Sequence, residues 1–393
     1  MNTPPPFTVM TKPMGPRCNL DCRYCYYLEK DDLYPDEKKF RMSEAVLERY
    51  VRDLIDAGVR AGQRAVFFVW QGGEPTMLGL AFFEHVVDLQ RKYQPDGVQI
   101  ENAFQTNGTL LDDNWAAFFA RENFLLGISI DGPRQVHDRY RRDRAGRPTF
   151  DAVRQGLEAL RRAGVEYNIL CAVHRANVGK GKDVYRFLRS LGTPHLQFIP
   201  IIERYNAVGT LAAVPQIDAG PGNVVTDWSV SPRAYGKFLC DIFDTWYRQD
   251  LGRVFVQFFE AQIGLWNGLP PAICIFAETC GNGLALEHNG DLYVCDHFVY
   301  PQFKLGNVME TPIGDLATSE TAAAFGRAKR DRLTAQCRRC QYRFACHGGC
   351  PKHRILRSKD GEPGHNYFCE SYLAFFHHAG GRLADLAANL AWR

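Results

Sequence analysis

Residues 18–25 read Cys-Asn-Leu-Asp-Cys-Arg-Tyr-Cys. Three thiols spaced CxxxCxxC within one short loop restrict what the chain can build around them. A structural zinc site wants four ligands and usually draws them as CxxC pairs, which this spacing does not offer. Three thiolates in one tight loop suit an iron–sulfur cluster that leaves one iron without a protein ligand. An iron with an open position is a place for chemistry, not only for storing an electron.

The cysteine count supports a metal reading. Of the 13 cysteines, 11 fall in two groups, at positions 18–25 and 274–369. Disulfides are disfavoured inside cells, so clustered cysteines in an intracellular chain read as ligands. Cys171 and Cys240 stand apart in apolar stretches and are expected to be small buried hydrophobes. A length of 393 residues predicts one large domain plus a smaller one. Hydrophobic content of 46% and charged content of 23% fit a soluble globular protein. The net charge of +3 is nearly balanced and predicts neither nucleic-acid nor membrane binding. The proline-rich start, Met1 to Phe7, lacks the layout of a signal peptide. No window approaches the ~18 consecutive apolar residues of a membrane span. A cytoplasmic monomer is the expectation.

From residue 6 to about 202, strand-like and helix-like segments alternate. Strands are expected at Phe7–Lys12, Ala65–Trp70, Val98–Gln105, Phe124–Ile130, Val165–Val173 and His195–Ile202. They are short and rich in Val, Ile and Phe, as for strands covered on both faces. Between them run helical patterns: one capped by Ser43 and reaching about Ala61, one capped by Asp112, then Leu78–Tyr93, Phe150–Ala163 and Lys182–Leu191. Gly58, Gly164 and Gly192 sit where helices are expected to stop. Six such βα units predict an α/β fold whose parallel sheet curls into a full or partial barrel. The unusual residues fall just past the strand ends: the cysteine loop, Gln71-Gly72-Gly73-Glu74-Pro75, Gln105-Thr106-Asn107-Gly108, Ser129-Ile130-Asp131-Gly132-Pro133, His174 and Pro200-Ile201-Ile202. In barrels of this kind that face carries the active site.

Tyr205–Ser231 breaks the pattern and reads as a long loop, followed by a helix from about Ser231 to Asp250 and an apolar segment Val254–Trp266. Asn289-Gly290-Asp291 between two alternating runs is a strong hairpin signal and places Cys295 and Asp296 at the end of a hairpin strand. The later cysteines are Cys274, Cys280, Cys295, Cys337, Cys340, Cys346, Cys350 and Cys369. The run from Cys337 to Cys350 is by itself compatible with zinc, while eight cysteines also make two complete four-thiolate sites.

CxxxCxYC resembles the signature of radical S-adenosylmethionine (SAM) enzymes, and Gly72-Gly73-Glu74 looks like that family's GGE motif, which receives the amino group of SAM. The later spacings resemble the SPASM domain, a two-cluster extension. The stretches Phe68–Thr76, Gln105–Thr109, Ser129–Pro133 and Cys295-Asp296-His297 resemble anaerobic sulfatase-maturating enzymes, which oxidise a cysteine or serine of a sulfatase to formylglycine. The resemblance implies a partial (β/α)6 TIM-like radical SAM barrel with a C-terminal iron–sulfur SPASM domain. The boundaries expected are 1–232 for the barrel, 233–270 for a linking helical segment, 271–375 for the SPASM domain and 376–393 for a C-terminal helix.

It also implies three [4Fe-4S] clusters and SAM as cofactors. Cys18, Cys22 and Cys25 would hold the first cluster; Cys274, Cys280, Cys295 and Cys350 the second; Cys337, Cys340, Cys346 and Cys369 the third. Tyr24, Gly73, Ser129, Arg141 and Ile202 would contact SAM, and Asp296 would be the catalytic base. The implied partners are a sulfatase polypeptide with a Cys/Ser-x-Pro-x-Arg segment and an electron donor such as flavodoxin or ferredoxin. Arg134 to Arg147 holds six arginines, which read equally as a solvated loop or as a source of a guanidinium for the SAM carboxylate. His137, His174 and His297 are expected to be local hydrogen-bond partners, and Asp131 to cap a turn. The rival enzymatic reading is a peptide maturase forming a thioether or carbon–carbon crosslink. The rival from another class is a non-catalytic electron-transfer protein.

Overall fold

A computed structural model of the chain describes residues 7–205 and 225–390. Most of the expected loop Tyr205–Ser231 lies outside the described residues. The strands are β1 (Thr8–Lys12), β2 (Ala65–Trp70), β3 (Gln99–Thr106), β4 (Leu125–Ser129), β5 (Tyr167–Val173), β6 (His195–Pro200), β7 (Phe255–Val256), β8 (Gly283–Glu287), β9 (Asp291–Tyr293) and β10 (Lys304–Asn307). The six strands expected in the first half are present within one or two residues of their expected ends. The chain divides into two compact units, the first formed by residues 1–129, 140–167 and 281–326 and the second by 130–139, 168–280 and 327–393.

In the first unit the strand order is β10-β9-β8-β1-β2-β3-β4. The strands β1 to β4 run parallel, in register Val9 to Phe68, Phe68 to Asn102 and Phe104 to Leu126. Helices Glu44–Arg60, Leu80–Tyr93 and Asp113–Arg121 form the crossovers. Ser43 and Asp112 cap two of them by accepting from the amides of Val46 and Trp115, as expected from their residue types. Leu78 belongs to a separate 3-10 turn, Pro75–Leu78, because Gly79 (φ +82°) breaks the backbone before the helix starts at Leu80.

Gly58 corrects a sequence expectation. It lies inside its helix, which runs on to Arg60. A Cβ there would stand 2.7 Å from Val66 of β2, so close packing of helix on strand selects glycine at this position. The core beneath these helices is aromatic: Phe68, Trp70, Phe83, Phe104 and Phe119 are all buried. Each such side chain contributes about 2–3 kcal/mol of burial. The Trp70 indole and the Gln90 amide both donate to Asn102 Oδ1, at 2.9 Å each, which satisfies the polar groups this core encloses.

The expected hairpin is β8–β9, pairing Ala285 with Tyr293, with Gly290 at φ +91° in its turn. Sequence periodicity did not reveal that β8 also pairs parallel to β1, from Thr8–Gly283 to Lys12–Glu287. The hairpin therefore extends the same sheet that carries the cysteine loop.

In the second unit β5, β6 and β7 are parallel neighbours. Helix Pro232–Gln249, capped by Ser231, packs on the C-terminal helix Cys369–Leu390 so tightly that a Cβ on Gly236 would meet the Ser371 backbone at 3.1 Å. Trp246, Phe259, Tyr372 and Phe375 fill the core between them. Cys171 is buried as expected, whereas Cys240 is only half-buried. Among the described residues no helix is long and apolar enough to cross a membrane.

Candidate active site

The cysteine loop leaves β1 directly, so its position is set by a buried strand. Cys18, Cys22 and Cys25 are part-buried, and the loop turns on a Cys25 amide to Cys22 carbonyl hydrogen bond of 2.8 Å. Cys18 Sγ accepts from the Leu20 amide at 3.3 Å and from the Asn107 side chain at 3.7 Å. Burial and the nearby Glu74 carboxylate push its thiol up to about 12. Sulfur aimed at N–H donors in a site where the free thiol cannot ionise is a donor set that a cationic iron centre would complete.

Gly73 is locked against this loop. Its amide donates to the Gly15 carbonyl at 2.8 Å, so that N–H is satisfied within the chain. A Cβ on Gly73 would stand 1.8 Å from the Arg17 carbonyl oxygen, which leaves no room for any side chain. Glu74 plays a structural part. It is fully buried and accepts from the Thr76 amide (3.1 Å), Thr76 Oγ1 (2.6 Å), Thr106 Oγ1 (2.7 Å) and the Asn107 amide (2.7 Å). It staples the loop after β2 to the loop after β3.

Tyr24 is buried, edge-on to Tyr140 at 6.2 Å, with the Arg141 guanidinium 5.5 Å from its ring centre. Arg141 is only 9% exposed, whereas Arg134, Arg139, Arg142, Arg144 and Arg147 are exposed, so the solvated reading holds for five of the six arginines and not for Arg141. The stretch begins with a helix, Arg134–Tyr140, and Arg144 donates to the Cys18 carbonyl at 2.7 Å. Ser129 ends β4, and its hydroxyl accepts from the Gln105 side chain at 3.0 Å. Ile202 is buried in the second unit just past β6.

Asp296 follows Cys295 three residues beyond the end of β9, at the start of a 3-10 turn. Tyr26, one residue after Cys25, donates to Asp296 Oδ2 at 2.9 Å. That bond joins the cysteine loop to the hairpin across 270 residues of sequence. Burial works against the Asp296 charge, yet His297, Lys12, Tyr26 and Cys295 outweigh it and hold the carboxyl well below its usual range. Lys12 is itself 1% exposed, with its ammonium 4.1 Å from the centre of the Tyr27 ring. Of the histidines, His297 packs edge-on to Tyr26 at 5.4 Å. In the second unit His174 Nε2 lies 3.4 Å from Asp131, and His137 Nδ1 accepts from the Asp131 amide at 3.4 Å. Asp131 is fully buried there and also accepts from the Ala172 amide at 3.0 Å, so it binds β5 and is more than a turn cap.

The Radical SAM superfamily profile matches residues 13–188, and the SPASM profile, an iron–sulfur cluster-binding domain, matches residues 274–341. A serine-type anaerobic sulfatase-maturating enzyme of Bacteroides thetaiotaomicron is 42% identical over 95% of this chain and 89% of its own length. The chain belongs to the anaerobic sulfatase-maturating enzymes. A cysteine-type sulfatase-maturating enzyme of Clostridium perfringens is 31% identical over 98% of this chain and its own full length. A solved structure described as native anSMEcpe with bound AdoMet and Cp18Cys peptide superposes with a TM-score of 0.85 at 31% identity, covering 98% of this chain and all of that one. The sulfatase-maturating fold is thus a mixed α/β radical SAM fold with a C-terminal SPASM domain, as the sequence motifs implied.

Two residues of this sulfatase-maturating site escaped sequence reading. Tyr26 looked like an ordinary aromatic, and only its contact with a residue far along the chain gives it a role. Lys12 is expected from the sequence only to end a strand, with no part in the site. The signal available was its place one residue before the loop on the same strand end.

Proposed function

We propose that this chain oxidises a cysteine or serine side chain of a sulfatase to Cα-formylglycine, in a radical SAM reaction. The observation that carries the reading is the Tyr26–Asp296 hydrogen bond, because it holds a carboxylate beside the loop of Cys18, Cys22 and Cys25. When bound, a reduced cluster and SAM supply a carbon-centred radical able to remove a hydrogen atom from the substrate Cβ. The chain's own residues then have distinct tasks. Gly73 offers its carbonyl to the SAM amino group, and Arg141 offers a guanidinium to its carboxylate. Tyr24 and Ser129 would line the same site. Asp296 would accept the thiol or hydroxyl proton at a carboxylate oxygen, and an auxiliary cluster held by the later cysteines would be the acceptor of the substrate's second electron; a serine then gives the aldehyde directly, and a cysteine gives a thioaldehyde that water hydrolyses with release of sulfide.

Asp296 is ionised and therefore ready as a base, although its depressed pKa makes it a weak one. The Cys295 thiol donates to Asp296 Oδ1 at 3.4 Å, a bond that a metal-bound thiolate cannot make. Ligation of Cys295 would remove one of the four influences that hold the carboxyl down, and so strengthen the base.

The clusters would take the 11 cysteines named above, leaving Cys171 and Cys240 unused. Burial pushes the thiols of Cys346, Cys350 and Cys369 up to about 12, as suits ligands that release their protons only to a metal. We take the electron donor to be an acidic carrier such as flavodoxin or ferredoxin. Residues 327–362 carry 11 Lys and Arg against three Asp and Glu, in a chain of net charge +3. Eight of those cations, including Arg338, Arg339 and Arg343, are exposed.

The test is anaerobic. The reconstituted protein is given SAM, a reductant and a peptide containing Cys-x-Pro-x-Arg or Ser-x-Pro-x-Arg, and 5′-deoxyadenosine and peptide mass are followed together. Formylglycine in step with deoxyadenosine supports the reading, and the two peptides establish the substrate type. Deoxyadenosine with both peptides unchanged would send the chemistry to the crosslinking class.

A further inference from the structure

Two cations are buried in the second unit with no carboxylate partner among the described residues. Lys329 is 1% exposed, and its ammonium donates to the carbonyls of Cys274 (2.8 Å) and Ile275 (3.1 Å). Arg354 is 5% exposed and donates to the carbonyls of Lys329 (2.6 Å), His347 (3.0 Å) and Gly348 (3.1 Å). Carbonyl dipoles solvate such charges but do not neutralise them. A buried charge without a counter-charge is costly enough that proteins pair it or do without it.

The backbone is bent to make this cradle. His347, Gly348 and Gly349 all have positive φ, at 45°, 71° and 62°. A left-handed histidine is uncommon, and here the turn directs two successive carbonyls onto one guanidinium. A Cβ on Gly348 would stand 2.9 Å from Arg354 Nη2. The site is built around the cation.

The missing anions are the thiolates. Burial lowers the pKa of Lys329, and the negative charges opposing that loss are those of Cys280, Cys350 and Cys274. Burial also weighs on Arg354, opposed by Cys337, Cys280, Cys350 and Cys346. The backbone partners of the two cations lie in the cysteine segments themselves: Lys329 holds the Cys274 carbonyl, and Arg354 holds the His347 and Gly348 carbonyls between Cys346, of one set, and Cys350, of the other. Four thiolates around an iron–sulfur core leave an anionic group whose potential depends on net charge and on nearby polar groups.

We propose that Lys329 and Arg354 are the built-in counter-charges of the auxiliary clusters and hold their reduction potentials up, Lys329 at the cluster bound through Cys274, Cys280 and Cys350, and Arg354 at both. A fixed cation favours the reduced, more negative state, and so makes these clusters better acceptors of an electron. The inference rests on the ligand sets given under the proposed function.

The experiment is a redox titration of the loaded full-length protein, followed by electron paramagnetic resonance, with iron counted in every sample. Lys329→Gln keeps an N–H donor for the two carbonyls and removes the charge, whereas Lys329→Arg keeps the charge. The expected result is one auxiliary potential lowered in Lys329→Gln and restored in Lys329→Arg, and both lowered in Arg354→Gln. Iron lost from Lys329→Gln but retained in Lys329→Arg also supports the charge requirement. Full iron with unmoved potentials, or equal iron loss in the two Lys329 variants, overturns the inference while leaving the ligand sets standing. Fewer than three clusters in the unmodified protein overturns the ligand sets and the inference with them.

Discussion

The Tyr26 hydroxyl and Asp296 Oδ2 stand 2.9 Å apart, so the residue that follows the last cysteine of the first loop holds the carboxylate that follows Cys295. The residue proposed as proton acceptor is thereby tied to the cysteine loop within one sheet. Asp296→Asn is expected to keep SAM cleavage and lose formylglycine formation by about 10²–10⁴-fold, the usual weight of a positioned base. Tyr26→Phe removes one hydrogen bond to a charged group, worth about 1.5–3 kcal/mol, and is expected to lower product per deoxyadenosine by roughly ten- to a hundredfold with iron content unchanged. Product and deoxyadenosine measured in the same reaction check both. Full product from Asp296→Asn would remove that residue from the chemistry.

Glu74 has a different kind of importance. Its carboxylate receives only donors, from Thr76, Thr106 and Asn107. In Glu74→Gln an amide NH2 faces one of them, at a cost of about 1–3 kcal/mol. The expected outcome is a lower urea midpoint together with weakened SAM binding, because the carboxylate also holds the amide of Asn107, whose side chain donates to Cys18 Sγ at 3.7 Å. A lowered midpoint with unchanged SAM affinity would separate the two effects.

His288 gives the fold a pH dependence. It is 2% exposed and lies between Glu37 and Glu287, with the Tyr34 ring edge-on at 5.4 Å. Burial opposes its charge, but the two carboxylates outweigh burial and raise its pKa above the ordinary 6.5. The stabilisation is therefore complete below about pH 6.5 and fades as pH rises through the raised value. Urea midpoints measured from pH 6 to 9 are expected to fall across that window, and to fall less in His288→Gln.

Removing a ligand tests the cluster sets. Cys337→Ala is expected to lose about four of roughly twelve irons while the loop of Cys18, Cys22 and Cys25 still cleaves SAM. Loss of one metal ion in place of four irons would restore the zinc reading of that run.

Charge reversal tests the donor surface. Arg339→Glu with Arg343→Glu is expected to slow reduction by an acidic flavodoxin several-fold at low salt, with the difference shrinking as ionic strength rises. Reduction by dithionite, a small reagent, should not change.

Much of this architecture was legible before the structure. The six strands and the caps Ser43 and Asp112 follow local rules, in which apolar runs favour strands and short polar side chains satisfy free helix amides. The residues past the strand ends stood out because glycine and cysteine are rare there without a reason. What could not be read was set by distance along the chain. The parallel pairing of β8 with β1 leaves no trace in the periodicity of either strand. Tyr26 acquires its role from Asp296, and Lys329 and Arg354 look like surface residues in a basic stretch until burial is known. Gly58 misled because a glycine selected by close packing resembles one selected by a helix end.

The β1–β8 pairing also bears on how the protein is made. The strand that leads into the first cysteine loop is synthesised at residues 8–12, and one of its edges is not covered until residues 283–287 exist. On the ribosome, β1 can pair early with β2 yet keeps an open edge through most of translation, the exposure that invites strand addition from other chains. A chain released before residue 283 would retain the cysteine loop and Gly73 but lack β8 and Asp296. The order of synthesis thus makes completion of this sheet, and the arrival of the carboxylate beside the loop, late events in the life of the nascent chain.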